Sequence, residues 1–262
     1  MRDIQLPGRS LVMSTRGMVS TSQPMATQAG LEILKRGGNA VDAAIATAAV
    51  LCVTEPQSTG IGGDCFLLYH EAQSGKLHGL NGSGRAPAQA TLEEYRRRGL
   101  ERVPDRGPLA MSVPGAIDGW SMALERFGTM GLEEVLQPAI EFAEEGYAVS
   151  PIVARMWKQN EADLAQFPDS RRCLLVSGEA PGVGTIHRQP ELGRSLRRIA
   201  EGGRDAFYQG PIAEEIARAV KAAGGLLDAS DLAAHRGEWV EPISTEYRGV
   251  RLHEIQIGRA HV

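Results

Sequence analysis

An α/β fold built as one large unit is predicted by three features of this 262-residue sequence. A helix that is apolar on every side runs from Ala40 to Thr54, the glycine turn Gly60-Ile61-Gly62-Gly63 follows, and an apolar run of strand length, Cys65-Phe66-Leu67-Leu68-Tyr69, comes directly after it. Only Asp42, Thr47 and Thr54 are polar within the helix, and its many alanines let neighbours pack close. At about 1.5 Å per residue it spans about 22 Å, and it lacks the roughly 20 apolar residues a membrane span needs. It is expected to be a core helix. The chain length lies near the upper end of what one core holds, so one unit is favoured over two.

The other elements follow in order. Met18-Val19-Ser20-Thr21 has strand character. Pro24 suits the first turn of a helix over 25–36 with Ser22 as its cap, and Gly37-Gly38 ends it. Asn39 caps the core helix, giving an antiparallel helical pair, and Glu55-Pro56 stops it because proline removes a donor and disfavours helical geometry before it. Strands over 65–70 and 76–81, joined by the polar turn Ala72-Gln73-Ser74-Gly75, form a hairpin that runs into Gly82-Ser83-Gly84-Arg85-Ala86-Pro87. Helices are predicted over 92–100, from Gly115 to Leu124, over 132–145 and from Pro151 toward Leu164, with Gly128 and Gly146 as stops. Residues 171–190, rich in Gly, Pro and Ser, read as a surface loop. Amphipathic helices are predicted over 192–201 and 212–223, Asp228 caps a short helix, and 238–253 reads as two strands around Tyr247-Arg248-Gly249. No internal repeat is present.

Composition excludes several functions. The net charge is -4, and Lys and Arg are scattered among acids, so no basic face for nucleic acid is present. Arg96-Arg97-Arg98 is flanked by Glu93, Glu94 and Glu101 and reads as a solvated helix face. Cys52, Cys65 and Cys173 lack metal-ligand spacing, and two of them lie in apolar surroundings where a thiol acts as a small hydrophobe. That usage, with no apolar stretch of secretory length near the N-terminus, predicts a cytoplasmic location. No membrane partner is expected.

The glycines at 60, 62 and 63 form neither nucleotide-binding pattern and precede a strand, the wrong order for phosphate binding; a tight turn is their expected role. Asp64 beside them suits a site carboxylate, but an Asp next to glycines more often organises the turn. The six histidines are isolated in sequence, no H-E-x-x-H occurs, and no metal site or cofactor is predicted. No G-x-S-x-G elbow is present. The residues by themselves therefore show no catalytic machinery.

Taken together, Met25–Ala44 (MATQAGLEILKRGGNAVDAA), Glu55–Phe66 (EPQSTGIGGDCF), Ser112–Trp120 (SVPGAIDGW), Gln137–Gly146 (QPAIEFAEEG) and Phe207–Leu232 with its GG-LL-x-x-x-DL pattern resemble, in order, the large N-terminal half of γ-glutamyltransferase precursors. The combination is specific where no single piece is. The resemblance implies an N-terminal nucleophile hydrolase fold, an αββα sandwich, of which this chain holds the large-subunit part. It also implies a precursor that cuts itself before a threonine, which then attacks the γ-glutamyl carbonyl with its own α-amine as base, the acyl group passing to water or an amino acid. The implied partners are a small γ-glutamyl substrate and the chain's own small subunit. That subunit carries the nucleophile, so no catalytic residue is expected here: Thr21, Thr27, Thr47, Thr54 and Thr59 all lie within or directly beside large-subunit motifs.

The family's large subunit usually supplies an arginine four positions before a proline, as R-E-x-A-P, to pair with the substrate α-carboxylate. Here Ser83 holds that offset from Pro87, and the arginine is Arg85. A two-residue shift keeps the same face of an extended segment but moves the side chain about 6–7 Å along. Arg85, with Ser83 beside it, is the substrate-binding candidate, since a guanidinium is the natural bidentate partner of a carboxylate; an arginine after glycine equally suits a solvated turn.

The family pattern is expected over residues 1–255, with 256–262 a non-native tail. Ile257–Val262 back-translates to atcggaagagcacacgtc, which looks like a sequencing adapter. An isolated large-subunit portion would expose apolar surface and dissolve poorly. Two further readings stand beside the enzyme fragment: an acylase or amidohydrolase of the same branch with a different acyl group, and a non-catalytic binding module that keeps the fold.

Overall fold

The computed structural model describes residues 11–255. The expectation for a non-native tail over 256–262 lies outside them, as do the first ten residues used in the export reading.

The core helix forms as its sequence dictates. It is α2 (Ala40–Thr54), and α1 (Pro24–Lys35) lies against it. Asn39 accepts hydrogen bonds from Val41 N–H and Asp42 N–H, and Asp42 in turn accepts from Asn39 N–H, a reciprocal cap satisfying donors the helix start leaves free. Eleven of its fifteen residues are buried, each large aliphatic contributing about 1.5–3 kcal/mol. The predicted Ser22 cap of α1 is not made: Gln23 is the cap residue, and its side chain makes no capping bond. Gln23 instead donates toward Ser150 Oγ at 3.5 Å.

Packed outward from α2 are α5 (Leu132–Glu145) and then α8 (Pro190–Tyr208). The hairpin β1 (Cys65–Glu71) and β2 (Lys76–Gly82) pairs in register from Cys65 opposite Gly82 to Glu71 opposite Lys76, and β5 (Glu238–Val240) adds antiparallel to β2. Helix α4 (Ala116–Phe127) joins this sheet to α2 and α8. β1 alternates: Cys65, Leu67 and Tyr69 face inward, while Phe66, Leu68 and His70 are exposed. The short helix α3 (Leu92–Arg97) presents its arginines to solvent, Arg97 and Arg98 both held by Glu94.

Four expectations are corrected. Residues 18–21 pair with no strand among the described residues, and strand character without a partner edge makes no ladder. The stretch 171–190 is not all loop: Pro168, preset for a first helical turn, opens α7 (Pro168–Leu174), and β4 (Ile186–His187) pairs with β3 (Tyr147–Ala148) beside α6 (Pro151–Ala165). The helix predicted over 192–201 ends at Gly203, whose φ of +68° is not helical, and a second helical stretch that was not predicted follows it within α8 to Tyr208. Finally, 238–253 contains three strands. Pro242, which has no N–H for a ladder, separates β5 from the hairpin of β6 (Ile243–Tyr247) and β7 (Val250–Glu254). Helices α9 (Pro211–Ala222) and α10 (Ala229–Ala234), the latter capped by Asp228, complete the fold. Three free cysteines are present among the described residues, and no helix there is long and apolar enough to cross a membrane.

Candidate functional site

The segment leaving β2 carries Ser83 and Arg85, and three stretches of backbone meet on it. Gly63 O accepts from both Gly115 N–H and Ala116 N–H at 2.9 Å, tying the glycine turn to the start of α4. Arg85 O accepts from Val113 N–H at 2.9 Å. Asp64 Oδ1 accepts from Gly84 N–H at 2.9 Å, so Asp64 organises this junction. The approach is close enough to demand glycine. A Cβ on Gly84 would lie 1.5 Å from Val113 O, and one on Gly115 would lie 1.9 Å from Gly82 O.

Beside the junction opens a cleft of about 480 Å³, lined among others by Asp64, Phe66, Ser83, Gly84, Tyr95 and Met111. The two sequence candidates part company here. Ser83 lines the cleft, and its hydroxyl and backbone N–H both donate to Asn81 Oδ1, at 2.7 and 3.0 Å. This is a local Asx turn, and the Asn-x-Ser spacing is its signal in the sequence. Arg85 is not among the lining residues. Its guanidinium, 67% exposed, reaches Glu238 Oε1 on β5 at 3.4 Å. Sequence reasoning missed Glu238, which carries no motif and meets Arg85 through strand pairing alone.

Behind β5 lies a buried polar network. Asp118 pairs with Arg204 and accepts from Gly237 N–H at 2.5 Å, one residue before Glu238. Tyr208 Oη donates to Pro114 O at 2.8 Å and accepts from Asp118 N–H at 3.1 Å. His235 stacks on the Tyr208 ring with Nε2 4.0 Å from Asp118, and burial holds its imidazole below its ordinary pKa. The network fixes the backbone that delivers Glu238 to the sheet edge.

Nucleophile chemistry by a thiol is disfavoured. Burial pushes Cys65 up to about 11, with the Asp64 charge adding to it, and burial pushes Cys52 up to about 12. Among the described residues no group of three or more His, Cys, Asp or Glu side chains is placed to hold a metal ion.

A family model described as Gamma-glutamyltranspeptidase matches residues 26–259. The chain is 39% identical over 244 residues to the glutathione hydrolase-like YwrD proenzyme of Bacillus subtilis, covering 93% of this chain and 46% of that protein. Its structure matches that of a cephalosporin acylase from Bacillus halodurans with a TM-score of 0.89 at 44% identity, covering 98% of this chain and 49% of the other. It matches a Helicobacter pylori gamma-glutamyltranspeptidase with a TM-score of 0.89 at 31% identity, covering 94% and 72%. The chain thus spans less than half the length of the curated relatives it matches.

Proposed function

The chain belongs to the gamma-glutamyltranspeptidase family, whose members are enzymes, and on that premise we propose that it is the large-subunit portion of a γ-glutamyl transferase or hydrolase, inactive until the rest of the proenzyme completes it. It has the N-terminal nucleophile hydrolase fold of its structural neighbours. One observation carries the proposal. The segments Glu55–Phe66 and Ser112–Trp120, on which the family resemblance rests, meet the Ser83–Pro87 segment in a single backbone junction beside one cleft.

In the completed enzyme the threonine that begins the small subunit attacks the γ-glutamyl carbonyl, its own amine taking the proton, and the acyl group passes to water or an amine. This chain's contribution is binding. Arg85 offers the substrate carboxylate a planar guanidinium with room for a bidentate contact, and Ser83 is held at the cleft wall by Asn81.

Two apolar faces support a small-subunit partner. Phe66 and Leu68 are exposed on β1. On the β6–β7 hairpin, Thr245 lies opposite Leu252 and Tyr247 opposite Val250, so Ile243, Tyr247, Val250 and Leu252 share one face, each more than half exposed. A two-stranded hairpin is marginal alone, and faces of this kind mark association surfaces. Free cysteines support a reducing, cytoplasmic location.

A second reading, an acylase with a different acyl group, is favoured by Ser83 in place of the family arginine and by the likeness to the cephalosporin acylase. Donor preference separates the two. The family match reaches residue 259, three residues into the adapter-like stretch that begins at 257. Sequencing the source DNA downstream of codon 255 tests the proposal. A frame continuing to an internal threonine at which the expressed protein cuts itself, seen by mass spectrometry, is the expected result; a natural stop after Val262 overturns it and points to a binding role.

A further inference from the structure

We propose that Asp231 is a positioning residue for the acyl donor: through the backbone of Ala88 it holds the apolar outer wall of the cleft against the donor's uncharged part. This rests on the reading above that the cleft takes the donor, and it gives the Phe207–Leu232 family stretch a part in the reaction.

The outer wall is one length of chain. Residues 86–112 leave the backbone junction and return to it, where Val113 N–H donates to Arg85 O. Pro87, Tyr95, Val103, Leu109 and Met111 of this length line the cleft. Among the described residues α3 is its only regular element. Tyr95 Oη crosses it to donate to Leu109 O at 2.6 Å, and Arg106 pairs with Asp163 on α6. A wall with so little helix or strand takes its position from what it is tied to.

The stretch 224–232 supplies several of those ties. Arg98 Nη1 donates to Gly224 O at 2.6 Å. Gly225 runs so close to Pro108 that a Cβ would lie 2.8 Å from Pro108 O. Gln89 Nε2 donates to Asp228 Oδ2 at 3.3 Å, and Ala88 N–H donates to Asp231 Oδ1 at 2.9 Å. Leu227 and Leu232 are buried in the core, so the wall is tied to a rigid post.

Asp231 divides its two oxygens. Oδ2 accepts Asp228 N–H at 3.0 Å and closes the reciprocal cap of α10, while Oδ1 reaches away from the helix to Ala88. A carboxylate accepting a backbone N–H makes a charge-assisted bond, the stronger kind. Ala88 and Gln89 are the central residues of a turn that Ala90 N–H closes on Pro87 O at 2.8 Å, and Pro87 lines the cleft. The bond therefore fixes the point at which the wall begins.

Apolar side chains hold a ligand by contacts that weaken over a gap of about 1 Å. The nucleophile of the completed enzyme comes from the small subunit. A displaced wall should then weaken donor binding and spare the chemical step.

The test is release of p-nitroaniline from γ-glutamyl-p-nitroanilide and from glutaryl-p-nitroanilide by the self-cleaved enzyme from the full-length proenzyme. Ala88→Pro removes the N–H that Asp231 accepts, and proline suits the second position of such a turn, where φ is not positive. It is expected to raise KM about fivefold, the worth of one hydrogen bond, with kcat and the melting temperature unchanged. Asp231→Ala is expected to raise KM as far and also to lower the melting temperature, because the cap is lost too. The double variant is expected to show the KM of Ala88→Pro alone. An unchanged KM in Ala88→Pro overturns the role, as does a fall in kcat at constant KM, or KM effects that multiply in the double variant. If Ala88→Pro does not self-cleave, Asp231→Ala decides: a raised KM at constant kcat upholds the role and an unchanged KM overturns it. Turnover of the glutaryl donor alone overturns the γ-glutamyl reading, and the role of Asp231 then stands or falls on the same KM comparison with that donor. Turnover of neither donor by a self-cleaved enzyme overturns both.

Discussion

The buried Asp42 carboxylate accepts the Thr129 hydroxyl at 2.6 Å and the Thr129 backbone N–H at 3.0 Å, 87 residues away in sequence, while also accepting Asn39 N–H at 2.7 Å and Met130 N–H at 3.2 Å. One side chain therefore caps α2 and anchors the turn between α4 and α5. A buried carboxylate is tolerable only when its lone pairs are filled in this way.

Replacing Asp42 with alanine removes the acceptor of four donors at once. The expected loss is about 3 kcal/mol or more, seen as a large fall in the melting temperature of the full-length protein. Asp42→Asn, which keeps an acceptor, is expected to lose less. Equal melting of wild type and Asp42→Ala would contradict the anchoring role.

The backbone junction at the cleft predicts an asymmetry between glycines. Gly84→Ala places a methyl against Val113 O and is expected to abolish self-cleavage of the full-length protein, with loss of soluble yield. Gly75, at a φ of +69° with nothing within 4 Å, should accept Asn, which tolerates that conformation. Limited proteolysis of the two variants distinguishes them.

Acid should loosen the fold before the carboxylates titrate. Burial holds both His187 and His235 below the ordinary imidazole pKa. Each is neutral in the fold where the unfolded chain already binds a proton, so stability rises with pH across the window between the folded and unfolded values. The contribution is complete above the ordinary imidazole pKa of about 6.5 and is lost as pH falls below it. Melting temperatures measured from pH 7 to pH 5 should fall, and His235→Gln should flatten the profile. A flat wild-type profile would contradict this.

Much of this was legible in the sequence, and the failures have a common cause. The Asn39 cap, the Glu55-Pro56 stop, the glycine turn and the 65–82 hairpin are set by neighbours in the chain, and their bounds follow from local chemistry. The missed features need distant partners. Met18–Thr21 has strand composition without an edge to pair with, and the N-cap position falls to Gln23, whose side chain turns to the distant Ser150 rather than capping. The ion pair of Arg85 is not legible because Glu238 lies 153 residues away. The helix at Pro168 was masked by the Gly- and Ser-rich residues after it.

The exposed apolar faces are expected to make the isolated chain a poor solute. Phe66→Ser together with Leu252→Thr should raise the soluble yield of residues 1–262 and reduce binding of a hydrophobic dye, since neither side chain is part of this chain's core. The same changes in the full-length protein should impair its stability. Improvement in both contexts would mean that nothing covers these faces.

The most direct test of the central claim is release of p-nitroaniline from γ-glutamyl-p-nitroanilide by two purified proteins, residues 1–262 alone and the full-length proenzyme. The account predicts turnover by the full-length protein after self-cleavage and none above buffer by residues 1–262. Turnover by residues 1–262 alone would contradict it, because the reacting group would then have to lie within this chain.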